Sequence, residues 1–251
     1  MRKRVDVILF EQGHFDSREN AKRAIMAGIV YEFRTQEQVL KPGTAMDDQI
    51  VFEIKGKKIP YVSRGGVKLK GAIDAFSIDL KDKIVLDIGS STGGFTDCCL
   101  QEGAAFVYAL DVGTNQLSWK MRSHELVAVM ENTNFRYVEA ERFNKGQPDI
   151  IVTDVSFISL KLIFNQIDVL FGMQAFEMIA LIKPQFEAGR QFIGKNGIVR
   201  DPKVHQRVVA DIKAYIELKG WHVIGIMDSP ITGTKGNKEF LLYFKNEIGE
   251  G

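Results

Sequence analysis

Apolar residues first recur at helical spacing at Val5, Ile8 and Leu9, with Gly13 just beyond, and this predicts a short helix over residues 5–11. Ser17 is placed to cap a second helix running to Ala27, and Gly28 suits the left-handed residue that closes it. The periodicity then shortens. Residues 29–33, 38–40 and 49–54 read as strands, the last two separated by Pro42-Gly43 and Asp47-Asp48. A small α+β unit over residues 1–55 follows, with Gly56, Lys57, Lys58 and Pro60 marking a linker over 56–62. Beyond it, over 63–251, apolar strand runs alternate with helical segments. Strands are predicted at 84–88, 106–111, 128–131, 150–153 and 177–182, then at 221–227 and 240–244. Asp201 as cap, Pro202 in the first turn and Gly220 beyond the last frame a long helix before the final pair. Such alternation predicts an α/β fold, doubly wound around a mostly parallel sheet.

Composition changes this picture little. The 251 residues are 45% hydrophobic and 26% charged, as in an ordinary globular protein, and a net charge of +1 gives no sign of a polyanion partner. Any basic surface must be local. Cys98 and Cys99 are neighbours in sequence and poorly placed to bridge each other, which fits a reducing compartment. No signal peptide is expected, because Asp6 and Glu11 cut the apolar start. The apolar stretch 167–182 contains Asp168 and Glu177 and is shorter than the roughly 20 residues a membrane span needs. A cytoplasmic protein without membrane partners is expected. His14, His124, His205 and His222 are dispersed, so no metal site is expected.

The chemistry concentrates in IVLDIGSSTGGFTD, residues 84–97, an apolar strand running into a glycine-rich turn and a helix. Asp87, Gly89, Ser90, Ser91, Gly93, Gly94 and Phe95 are the candidate contacts for a nucleotide-like ligand at that turn. No lysine follows Gly94, so the loop is not the phosphate-cradling type. Asp111, ending the next predicted strand, is placed to accept hydrogen bonds from both hydroxyls of a ribose. An ordinary strand-to-helix turn would explain the glycines alone.

In order along the chain, DIGSSTGGFTD, ALDVG, TDVSFISL, LIKPQFE and GNKEFLLY resemble the hemolysin A (TlyA) family of ribosomal-RNA 2′-O-methyltransferases, whose catalytic domain is of the FtsJ type. The resemblance covers nearly the whole chain. It implies a Rossmann-like methyltransferase sheet with a final antiparallel strand, S-adenosylmethionine as cofactor, and RNA as substrate, specifically a cytidine ribose in ribosomal RNA. The family's Lys-Asp-Lys-Glu tetrad falls on Lys68, Asp154, Lys183 and Glu239. Lys70 is a rival to Lys68 two positions on. In this assignment Lys183 accepts the hydroxyl proton, Asp154 and Glu239 orient the amines, and Asp154 also borders the cofactor. Ser156, Phe157 and Ser159 shape the target pocket, Phe157 being either a platform for a base or an ordinary core aromatic.

RVDVILFEQG, FDSRENAKRAIMAGIVY and KPGTAMDDQIVFEI resemble the small RNA-binding fold first seen in a ribosomal protein of the small subunit (the S-four type). EFRTQEQ, residues 32–38, stands where such domains place an Asn-Gly turn. Arg4, Arg18, Lys22 and Arg23, with Arg64 beyond the linker, are the candidate RNA contacts, although a solvated helix face explains the second-helix residues equally well. The competing functions are a base-directed RNA methyltransferase, a cytolytic protein and an RNA-binding protein without catalysis. Residues 185–200, with three glycines, are expected to form a mobile loop over substrate. Oligomeric state is not readable.

Overall fold

The computed structural model describes residues 1–15, 17–26, 28–55, 59–233 and 236–247. Ala27, the expected end of the second helix, and Gly56, Lys57 and Lys58 of the expected linker lie outside the described residues. The chain forms two compact units, Met1–Lys58 and Ile59–Gly251.

In the first unit, β1 (Arg2–Arg4) leads into α1 (Val5–Glu11), followed by α2 (Arg18–Met26), β2 (Val30–Glu32), β3 (Ala45–Asp47) and β4 (Phe52–Ile54). Val5, Ile8 and Leu9 of α1 pack on Ala21, Ala24 and Ile25 of α2 and on Val30 and Phe52. Two antiparallel ladders, β1 with β3 and β2 with β4, complete the unit. Three strands differ from expectation. Residues 38–40 form no strand: Val39 is buried and only Gln38 bridges, to Tyr31. Instead β1 and β3 pair, strands whose residues are exposed or half-buried and so carry no apolar alternation to read. EFRTQEQ folds back through Gln36 at φ 60°, doing the work of the Asn-Gly turn with a non-glycine left-handed residue.

The second unit begins with α3 (Gly65–Phe76) and β5 (Ile84–Ile88), then α4 (Gly94–Gln101), β6 (Phe106–Leu110), α5 (Trp119–Arg122) and β7 (Val127–Met130). β8 (Ile150–Thr153), α6 (Leu160–Phe171), β9 (Phe176–Ile182), α7 (Pro184–Glu187), α8 (Pro202–Leu218), β10 (His222–Asp228) and β11 (Phe240–Asn246) follow. The strands form one seven-stranded sheet in the order β10-β11-β9-β8-β5-β6-β7. All pairings from β9 to β7 are parallel, whereas β11 is antiparallel to both its neighbours, the single reversed strand. Central strands such as IIVT are buried on both faces, which is why they read as unbroken apolar runs. On one face, Val204, Val208, Ile212 and Ile216 of α8 join α6 in the larger core; each such buried side chain is worth about 1.5–3 kcal/mol. On the other face α3 and α4 cover Val85, Val107 and Val152.

This topology assembles the functional end. The chain order reverses between β5 and β8, the switch point where open α/β sheets form a crevice beyond their strands' carboxyl ends. Asp111, Asp154 and Lys183 each stand one residue past β6, β8 and β9. Because β11 runs the other way, Phe240 pairs with Ile182, and Glu239 enters at the same end as Lys183.

Candidate active site

Asp154 lies between two amines. Lys183 Nζ is 2.6 Å from its Oδ1, and Lys68 Nζ, carried by the first turn of α3, is 3.9 Å from its Oδ2. Lys68 Nζ then donates to Glu239 Oε2 at 2.6 Å. Lys183 Nζ also donates to Ser156 Oγ at 2.8 Å. Lys68, Lys183 and Glu239 are buried, so the chain Lys183, Asp154, Lys68, Glu239 alternates cation and anion largely out of water, where such attractions are strongest. Lys70 pairs instead with Asp74 and Glu102, at 2.7 and 3.1 Å. Phe157 is 90% exposed, with φ 64°, and rests its ring on Phe186 at 5.0 Å; it is not a core aromatic.

Beside this cluster a cleft of about 360 Å³ opens along the ends of β5, β6 and β8. Gly89 lies at φ 82°, and a Cβ there would come within 3.0 Å of Val155 Cγ1, so both backbone angle and close approach require glycine. Asp111 accepts from the Ser91 N–H at 2.8 Å and the Gly113 N–H at 2.7 Å, one bond on each carboxylate oxygen. Each oxygen keeps a lone pair for a further donor. Thr133, Asn134 and Phe135, just past β7, line the same cleft and were not anticipated. The polar ENTNF stretch directly after an apolar strand was the available signal.

Several loop residues do other work. A Cβ on Gly93 would meet Met121 and Leu117, and one on Gly94 would meet Ser63, so both glycines seat α4 closely against its neighbours. Phe95 corrects the expectation for its side chain, which is 3% exposed and packs in the core under α3 and α4, leaving only its backbone to face a ligand. Asp87 is fully buried; burial pushes its carboxyl up to about 7, against the Thr96 hydroxyl bonded to Oδ2 at 2.6 Å. Its Oδ1 and the Ser90 hydroxyl are buried with no hydrogen-bond partner among the described residues. Orphaned acceptors beside a cleft fit a ligand bearing N–H or O–H donors, and Asp111 fits a ribose diol.

Glu131 organises the loop after β6. Its carboxylate accepts the backbone N–H groups of Asn115, Gln116 and Leu117 at 2.8–2.9 Å and pairs with Arg122 at 2.6 Å. The Arg122 bond, then those N–H groups, hold the carboxyl down at about 2. A depressed carboxyl stabilises the fold fully above its unfolded value near 4.3, and that contribution is lost as pH falls through the folded value. Glu131→Gln should therefore unfold at lower temperature than the parent at pH 6, the gap closing as pH approaches 2. An equal gap at both pH values would refute the ionic role.

In the first unit, Arg4 and Arg18 both bond the buried carboxylate of Asp6, at 2.9 and 3.2 Å, while Lys22 pairs with Glu19 at 3.2 Å. Burial pushes the Asp6 carboxyl up, but the two arginines together outweigh this and hold it below its usual range. The forks of Arg4 and Arg18 are thus partly committed within the unit. Arg23 is exposed on the same helix. Arg64, exposed at the start of α3, makes no side-chain hydrogen bond or ion pair among the described residues.

Cys98 and Cys99 are free and buried, and burial pushes the Cys98 thiol up to about 12. Among the described residues no His, Cys, Asp and Glu group is arranged to hold a metal, and no helix is long and apolar enough to cross a membrane. Residues 185–200, expected to be a mobile loop, instead form α7 and two short 3-10 turns. Val199 bonds Asn237 at 3.2 Å and His205 at 2.9 Å, which ties the far end down.

The model of the FtsJ-like methyltransferases matches residues 61–246. YqxC of Bacillus subtilis (strain 168) is 52% identical over 250 residues, covering 100% of this chain and 88% of its own. The 16S/23S rRNA (cytidine-2′-O)-methyltransferase TlyA of Mycobacterium tuberculosis (strain CDC 1551 / Oshkosh) is 38% identical over 247 residues, 98% of this chain and 91% of its own. A solved Streptococcus thermophilus protein described as a candidate hemolysin superposes with a TM-score of 0.77 at 48% identity, covering 97% of this chain and 88% of that one. The chain belongs to the FtsJ-like methyltransferases, in their hemolysin A (TlyA) branch, and is an S-adenosylmethionine-dependent enzyme.

Proposed function

We propose that the protein methylates a ribose 2′-hydroxyl of ribosomal RNA, on a cytidine as in the Mycobacterium tuberculosis relative's name. The observation that supports this best is the contact chain from Lys183 through Asp154 and Lys68 to Glu239 beside the cofactor cleft. S-adenosylmethionine supplies a methyl group on a sulfonium, ready for in-line displacement. Asp111, Gly89, Ser90 and Ser91 would hold it, with Asp87 beneath and Asn134 and Phe135 across the cleft.

The chain's own residues then handle one proton. Lys183, as the neutral amine, takes the proton of the attacking hydroxyl. Asp154 and Ser156 both contact Nζ, and the attacking hydroxyl would present its proton to the amine's lone pair. With Lys183 neutral the tetrad carries one net negative charge, and accepting the proton returns it to neutrality. Lys68 holds Asp154 and is itself held by Glu239. A covalent cysteine route to a base has no support, because both thiols are buried in the core.

In this reading residues 1–55 are the RNA-binding domain, 56–62 the linker and 63–251 the catalytic domain. The outer faces of Arg4, Arg18, Lys22 and Arg23, together with Arg64, engage phosphates, and the enzyme works in the cytoplasm, where ribosomes are. The test is incubation with methyl-labelled S-adenosylmethionine and either intact ribosomal subunits or free rRNA, followed by digestion to nucleosides. Label in 2′-O-methylcytidine is expected. Label on a base, or none in RNA, would overturn the proposal.

A further inference from the structure

We propose that Glu187 is a positioning residue, clamping the loop that carries Asp154 and Ser156 to the segment that carries Lys183, so that the proton acceptor and its partners share one fixed geometry. This rests on the reading of the site as a proton-accepting methyl-transfer centre. The two segments leave neighbouring parallel strands, β8 and β9, and nothing in the sheet itself fixes their spacing beyond Thr153 and Ile182. Besides the Lys183–Asp154 ion pair at 2.6 Å, three successive contacts join them. Lys183 Nζ donates to Ser156 Oγ at 2.8 Å, the rings of Phe186 and Phe157 lie 5.0 Å apart, and Glu187 takes both ends of the Ser159-Leu160 step.

The last contact is the strongest chemically. Glu187 Oε2 accepts from the Ser159 hydroxyl at 2.7 Å, and Oε1 accepts from the Leu160 backbone N–H at 2.8 Å. Ser159 caps α6, its Oγ also accepting from the Lys161 N–H, so this hydroxyl is used as donor and acceptor at once. The carboxylate sits where the twelve-residue helix α6 presents its unpaired N–H groups and positive end. Burial raises the Glu187 carboxyl above its usual range, with the Leu160 and Ser159 bonds opposing it. A half-buried acid held there against its partial desolvation is matched to this helix end. Between the contacts, Phe157 has a left-handed backbone, a conformation that persists only where the surroundings hold it on both sides. Ser156 on Lys183 is one side and Ser159 on Glu187 the other.

The test compares Glu187→Ala, Glu187→Gln and Ser159→Ala in the full chain. S-adenosylmethionine affinity, read by calorimetry, should stay within about threefold of the parent, since neither Glu187 nor Ser159 lines the cofactor cleft and Asp111 keeps its own bonds to Ser91 and Gly113. For Glu187→Ala, kcat on rRNA should fall about 100-fold with KM little changed, the loss expected from slight misplacement of reacting groups. Glu187→Gln retains one acceptor and should recover to about tenfold below the parent, and Ser159→Ala added to Glu187→Ala should cost nothing further. A kcat within about threefold of the parent, additive losses, or cofactor affinity falling in step with kcat would each overturn the clamp. Hydrogen exchange decides it without any substrate. The amides of Phe186 and Ala188, bonded to Lys183 and Pro184, should exchange at least about tenfold faster in Glu187→Ala, and unchanged exchange overturns the proposal. A parent that leaves rRNA unmethylated would instead count against the ribosomal reading, with the exchange result still deciding the clamp.

Discussion

Lys183→Ala should lower kcat for methyl transfer by about 10²–10⁴-fold, the usual contribution of a positioned general base. Lys183 stands just past β9 and contacts Asp154 and Ser156, while Asp111, the acceptor for the ribose, is held separately by the Ser91 and Gly113 N–H groups. Affinity for S-adenosylmethionine, measured by calorimetry, should therefore change by less than about threefold. Lys183→Arg separates the two roles the amine could have. It keeps a cation beside Asp154, yet a guanidinium does not give up its proton at any pH the protein survives. If Lys183 acts as the proton acceptor, arginine is as inactive as alanine. If it only supplies positive charge, arginine retains most of the rate, and recovery to within about tenfold of the parent would remove the base assignment.

What could be read from the chain divides along physical lines. β5 and β8 are legible to the residue because buried parallel strands are unbroken apolar runs between turn-forming residues. α8 is legible because its cap, its proline and its closing glycine all agree with its periodicity. β1 and β3 are hidden, since an exposed RKR strand is held by backbone bonds that carry no side-chain signature. The same contrast holds at the site. The tetrad stands in recognisable motifs, but what each residue touches depends on partners 27 to 171 positions away. Glu131 and Glu187 are unremarkable acids in the sequence. Only folding shows one gathering three N–H groups of the loop after β6 and the other joining two loops. The glycine run could not be apportioned from the sequence, because a glycine needed for close helix packing looks the same as one needed for ligand approach.

Glu239→Ala should destabilise the second unit by about 3–5 kcal/mol, because it leaves the Lys68 ammonium buried without its close partner. Lys68 and Glu239 side chains are 8% and 2% exposed, and the nearest other carboxylate, Asp154, stands 3.9 Å from Lys68 while bonding Lys183 at 2.6 Å. One acid would then face two ammonium groups. The fold is built around this pair: a Cβ on Gly233 would collide with the Glu239 carboxylate, so the loop before β11 leaves that space to it. Replacing both members, Lys68→Met with Glu239→Leu, removes the charges together and should cost much less than Glu239→Ala alone, since apolar groups of similar size often substitute for a buried pair without loss. Urea unfolding followed by tryptophan fluorescence measures this in the right unit, because Trp119 and Trp221 both lie there and Trp221 is buried against Phe244. All these variants should be inactive in methyl transfer, so stability and catalysis come apart in the double replacement. If Glu239→Ala costs under about 1 kcal/mol, or the double replacement costs as much as the single, the pair does not carry the buried charge balance on which Lys68 and Asp154 depend.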